Sequence, residues 1–342
     1  MQKHKLFFTN IPFSILSILL VSLTLSGAFK IIIPIVTLDK LLDFILLTIS
    51  GSLFILIIIK IIFHIKDLSK IIKKNKESVP FFGFVTMSIL AFSKYFLSNS
   101  TDSIINYNIG LYLWWFGLIF SFSFLLFWVF LNIKNLSYKN FNPSWYIPLN
   151  GFIVSSTFDI KYLNKDYFNL WFVIWLLFFI LFTITTINLL IKYLNNIDRN
   201  ECSSFFITFI GIYSLLIITY FYTFKNTNFF LDNLLIVIGF IPIILSFVLY
   251  HLIFISLKKE FFHFKHINLC FPLAMATMEK WIYSQYFFNL DSLSVLKKIF
   301  YYTFIIDIII TAIFTLYLLG FILSIYIKKY INLHNVKILN NK

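Results

Sequence analysis

Seven ionisable side chains stand out within the apolar stretches of this chain: Lys60, His64, Lys94, His251, Glu279, Lys280 and Asp307. Catalysis needs such groups clustered, and these form no nucleophile pattern, phosphate cradle or dinucleotide fingerprint. His263-x-x-His266 comes nearest to a metal motif, but two histidines without a matching cysteine or carboxylate pattern are weak ligands. No cofactor is implied, and the reading is not that of an enzyme. Lys60 and His64 fall near a segment end and read as snorkelling to the cytoplasmic interface. Asp307 lies about 12 to 15 Å into its segment at the helical rise of about 1.5 Å per residue. An acid at that depth needs a partner or a proton. We read it as hydrogen-bonded to a neighbouring helix, with a proton relay as the alternative.

The remaining polar groups suit anions better than cations. Ser14, Ser17, Thr86, Ser155 and Thr208 can donate hydrogen bonds to an anion that has shed water, whereas a cation pathway usually carries rings of Asp or Glu. These hydroxyls lie in four of the chain's five short, polar segments, and the five together contain one acid, Glu279, toward the outer end of its segment beside Lys280. Lys94 and Lys280 sit at similar depth in their segments and would focus anions at an outer vestibule. The alternative is two interfacial lysines.

The elements that carry these residues follow from composition. The chain has 342 residues, 60% hydrophobic and 12% charged, with mean hydropathy +0.90. Soluble domains carry about 25% charged residues, so this is an all-α polytopic membrane protein, in a bacterium one of the inner membrane. The run of about 20 apolar residues per segment suits helices rather than barrel strands. Two cysteines, Cys202 and Cys270, make no disulfide framework. The basic start before Ile11 resembles a signal peptide, but the apolar run continues to Phe29 without a small-residue cleavage site, so it reads as a spanning helix.

Ten spanning candidates result: Ile11 to Phe29, Leu41 to Ile65, Val79 to Leu97, Ile104 to Ile133, Ser144 to Phe158, Tyr167 to Ile191, Ser203 to Phe224, Phe229 to Leu257, Ile267 to Phe288 and Ile299 to Ile327. Short odd segments alternate with long even ones, as in five stacked helical hairpins. Ser and Thr fill 20 of 97 positions in the odd set against 14 of 138 in the even set, and most prolines fall at odd-segment starts. Short, interrupted, polar helices are tolerated where protein or water surrounds them. The expected architecture is therefore an inner ring of odd helices inside an outer ring of even ones. The same small residues also serve close helix packing. Loops alternate in Lys and Arg, 18 on one face against 9 on the other with Lys60 set aside, which places both termini in the cytoplasm. The net charge of +14 is thus topological and makes no case for nucleic acid.

One stretch is unusual even for an inner helix. Asn142-Pro-Ser-Trp-Tyr-Ile-Pro-Leu-Asn-Gly151 combines a cap, a proline suited to a first helical turn, a second proline at 148 and a glycine. Pro148 cannot bond back to Ser144, so a bend is expected, and Gly151 permits close approach. A second such stretch is Phe271-Pro-Leu-Ala-Met-Ala-Thr277, and Pro12-Phe-Ser14 opens the first segment. Together these resemble the tellurite-resistance/dicarboxylate transporter family, to which the plant guard-cell slow anion channels belong. The resemblance implies ten helices in five hairpins, a central pore lined by the odd helices, and a homotrimer with one pore per subunit in the lipid bilayer. It implies that Phe271 gates the pore. Pro12, Ser14, Ser17, Thr86, Pro148, Gly151, Ser155, Thr208, Pro272 and Thr277 would line it. Segment 1 departs from the family in lacking a glycine-rich pattern, and segment 7 lacks the usual proline. Relatives pass chloride, nitrate, malate, sulfite or tellurite-related species, so small anions are the expected partners. The alternative is a proton-coupled C4-dicarboxylate or tellurite/sulfite exporter working as a carrier.

Overall fold

The computed structural model describes residues 12–33, 35–74, 80, 82–100, 103–132, 146–148, 168–195, 199–225, 228–259, 267–287 and 294–339. Among them there is no strand, and nine long helices follow one another. A short turn, Phe13–Ile15, leads into α1 (Leu16–Ile32); then come α2 (Val36–Lys74), α3 (Gly83–Ser98), α4 (Ile104–Asn132), α5 (Phe168–Asn195), α6 (Arg199–Thr223), α7 (Phe229–Lys259), α8 (Ile267–Tyr286) and α9 (Ser294–Leu339). These match nine of the ten expected segments. Of Ser144 to Phe158, only one helical turn at 146–148 is described; Ser144, against which the bend at Pro148 was expected, and Gly151 lie outside the described residues. Helices α2 and α9 continue past their apolar stretches, to Lys74 and Leu339. Lys and Leu, which recur in these extensions, are good helix formers, and a helix need not stop where its hydrophobicity does.

Burial separates the helices as polarity did. In α1, α3 and α8 most residues are buried around the whole circumference, and α6 is buried almost without a break from Ile210 to Thr219. By contrast, α4 buries Gly110, Trp114, Gly117, Ser121, Trp128 and Asn132, a stripe at spacings of three, four and seven that marks one face of a helix. Its other face exposes Tyr112, Phe116, Ile119 and Phe130, as a lipid-facing wall does. Of the first span, Phe13–Ile32, 67% is buried, against 22% to 39% in the long spans of α2, α4, α5, α7 and α9. Hydrophobicity alone does not drive helices together in lipid, so packing of small residues and interhelical hydrogen bonds must do so. Such a bond is Ser93 to the carbonyl of Gly110, 2.7 Å, which joins α3 to α4.

Sequential helices pack as hairpins in α1/α2, α3/α4, α6/α7 and α8/α9, and the four buried helices touch in the order α3, α1, α8, α6. The turn at 146–148 lies against both α3 and α5. A Cβ on Gly83 would stand 3.0 Å from the Ile147 carbonyl oxygen, while the Tyr146 hydroxyl reaches Thr186 on α5 at 3.3 Å and its ring packs on Phe182.

Candidate functional site

Helix α8 is the most enclosed element. Pro272 lies within it, and a proline there leaves one carbonyl without its helical donor and bends the axis. Opposite the proline stands Gly211 of α6, where a Cβ would meet Pro272 Cγ at 3.2 Å and its Cα at 3.4 Å. Pro272 of α8 therefore rests on a helix with no side chain at the contact.

The rotation of α8 sorts its residues, because each step along a helix turns about 100°. Pro272 and Glu279 point toward α6, and Glu279 accepts a 2.6 Å hydrogen bond from Ser214 there. Tyr283 faces α7, donating to the main-chain carbonyls of Leu235 and Ile236. Trp281 packs against Phe304 of α9, the tilted rings 5.3 Å apart between centroids. Lys280 donates to Asp307 of α9. Phe271 emerges about two and a half turns before Lys280, which puts the two on opposite sides of α8. It shares its face with Met275, Met278 and Ile282, turned away from α7 and α9, and is itself buried.

Two lysines are not where their positions in the sequence placed them. Lys280 faces no outer vestibule: its side chain is wholly buried, paired with Asp307, with its ammonium 4.2 Å from the Phe247 ring centroid. The helix phase, not the depth, decides this, since α9 covers that side of α8. Asp307 does take a neighbouring helix as its partner. Lys60 does not snorkel to an interface either. It is 3% exposed, and its ammonium lies 4.5 Å from the centre of the Phe13 ring at the start of α1. A cation over a ring face is an attraction that burial strengthens. His64 has no described side chain, His251 is exposed, and His263 and His266 lie outside the described residues.

The remaining candidates fall into three groups. Pro12 caps the opening turn, Ser14 is buried in it, and Ser17 donates to the Ile267 carbonyl at 2.7 Å, tying α1 to the start of α8. Thr86 and Thr277 donate to carbonyls of their own helices, Gly83 and Leu273. Pro148 is buried. Gly151, Ser155 and the side chain of Thr208 lie outside what is described. Lys94 is exposed near the end of α3 with its ammonium 5.0 Å from the Tyr222 ring of α6. Lys225, just past α6, lies 5.8 Å from the Tyr286 ring.

The structure adds a cluster that the sequence reading passed over. Asp43 on α2 accepts from Ser26 and from the Tyr95 hydroxyl, the latter at 2.7 Å, and lies 3.6 Å from Lys30. Lys30 in turn donates to Asn99 at 2.8 Å. The only sequence signal was an acid and a base at the ends of consecutive helices. Among the described residues, no group of three metal-binding side chains forms.

The buried bundle of α1, α3, α6 and α8 brings hydroxyls and a proline-containing, phenylalanine-bearing helix together inside a lipid-facing wall. No curated protein matches the chain. A family model described as SLAC1, voltage-dependent anion channel, matches residues 7–316. The chain belongs to this family of membrane-embedded anion channels and transporters.

Proposed function

We propose that the protein passes small anions along a pathway enclosed by α1, α3, α6, α8 and the turn at 146–148, and that Phe271 closes it. The observation that carries this reading is the phase of α8, which turns Phe271 away from both outer helices that cover the opposite side. Pro272 beside it and Gly211 across from it provide a backbone joint. A ring in a narrow neck is an effective barrier because an anion must shed water against apolar carbon, and such necks dewet. Ala274, about one turn on and about 60° around α8, leaves room for a rotamer change.

Ser14, Pro12, Pro148, Gly151, Ser155 and Thr208 remain lining candidates. Ser17, Thr86 and Thr277 offer oxygen lone pairs rather than protons while their present hydrogen bonds last. The anion-attracting vestibule is reassigned to Lys94 together with Lys225. Chloride, nitrate, malate and sulfite are the substrates to try, in a homotrimer of a bacterial inner membrane with both termini cytoplasmic. The carrier reading, which placed its proton on Asp307, has less support because Lys280 engages that carboxylate. The test is flux of chloride and malate from proteoliposomes with and without a pH gradient. Voltage-driven anion flux supports the reading, and no anion flux from folded protein, with or without Phe271, would sink it.

A further inference from the structure

Glu279 is a fully buried acid on the most enclosed helix. One of its oxygens accepts the Ser214 proton from α6. The other, Oε1, has no hydrogen-bond partner among the described residues. It lies against α7 at Gly239, where a Cβ would overlap both Oε1 and the Tyr283 hydroxyl. A carboxylate oxygen buried without a donor is costly, whereas a carboxylic acid has a proton to place there. The Tyr283 hydroxyl gives its own proton to main-chain carbonyls and keeps lone pairs that can accept one.

Lys280, next on the helix, is the cation nearest in sequence, and Asp307 of α9 already takes its ammonium. Tyr250 of α7 lies beyond that pair, with a ring centroid 5.9 Å from the Lys280 ammonium. From α6 the facing group is Ser214, and from α7 it is Gly239; neither is ionisable.

We propose that Glu279 is a proton-binding site on the anion pathway, a carboxylic acid in the α6/α8 seam whose ionisation shuts anions out. It stands about two turns, or about 12 Å, beyond Phe271 and about 80° around α8 from it. Neutral, it places no charge beside the route; ionised, it sets an unpaired negative charge in a region of low dielectric, where repulsion of an anion is strong. This inference rests on the anion pathway proposed above, and it adds the ligand that regulates it.

The sign follows. Protonated protein conducts, and flux falls as pH rises through the titration of Glu279. The experiment reads anion flux between pH 5 and 9 from proteoliposomes held at constant voltage, normalised to folded protein, in the Phe271→Ala background so that the ring does not limit it. Flux should fall at least about tenfold across this range. Glu279→Gln should hold flux at its acid level throughout. Ser214→Ala, which removes a donor that stabilises the ionised form, should move the midpoint to higher pH. This second variant decides the matter if Glu279→Gln does not fold. A flat profile with Glu279 intact, a Glu279→Gln profile that still falls, or an unmoved midpoint in Ser214→Ala overturns the proposal. Absence of flux at every pH instead overturns the anion pathway itself.

Discussion

The Lys280 ammonium and the Asp307 carboxylate meet between α8 and α9, the side chains 0% and 4% exposed. Such a pair holds two helices together only while both members are present, because either one alone is a charge with no water to solvate it. Lys280→Met should therefore lower stability by about 3 to 5 kcal/mol, and the double variant Lys280→Met/Asp307→Leu by much less. Thermal unfolding in detergent measures both. A double-variant loss equal to the sum of the losses in Lys280→Met and Asp307→Leu would mean that the pair is not coupled.

Gly239→Ala should destabilise while Gly320→Ala should not. At Gly239 a Cβ would collide with Tyr283 and Glu279 and come within 2.9 Å of Ile217, whereas at Gly320 nothing lies within 4 Å. Overpacking of this kind costs about 1 to 3 kcal/mol, and an unhindered glycine-to-alanine change in a helix gains up to about 1 kcal/mol. Adding Tyr283→Phe should recover part of the Gly239→Ala loss, because it removes the oxygen in the way. The comparison is again made by thermal unfolding, and indistinguishable glycine variants would contradict the close approach of α7 to α8.

Phe271→Ala should raise resting anion flux severalfold. If the ring instead packed only as core, its truncation would cost about 3 to 5 kcal/mol by soluble-protein precedent and lower the yield. Flux per folded molecule in proteoliposomes separates the outcomes, and a value that stays flat or falls removes Phe271 from the gate.

Lys94→Glu with Lys225→Glu should reduce anion flux at low salt by severalfold and have little effect near 1 M salt. Surface potentials are screened over about 3 Å at 1 M but about 30 Å at 0.01 M. A reduction that does not depend on salt would point to structural damage rather than to steering.

Much of the fold was legible because a bilayer constrains the chain so strongly. A helix must satisfy its own backbone in lipid, so apolar length located the helices, and hydroxyl content located the buried ones. Rotation about the helix axis was not legible. Lys94 and Lys280 stand at the same depth in their segments, yet one is exposed and the other sealed against α9. Depth counts residues along a helix, whereas a partner is chosen by the face on which a residue falls. Lys60 failed for a related reason: its companion, the Phe13 ring, belongs to another helix and could not be inferred from Lys60's own neighbours. Glu279 was seen as an acid in the right helix, but Gly239, which makes its pocket against α7, carried no signal of its own.

The polarity of α8 bears on how the protein is made. Six spans among the described residues are long and apolar enough to enter a bilayer by composition, and α8 is not one of them. A lysine or an acid near the middle of an inserting helix is opposed by about 2.5 to 3.5 kcal/mol each on translocon scales, and α8 carries Glu279 and Lys280 side by side. Its hairpin partner α9 is strongly apolar and brings Asp307 with it. During biogenesis α8 is therefore expected to enter the bilayer together with α9, and a ribosome stalled before the end of α9 should strand α8 in water.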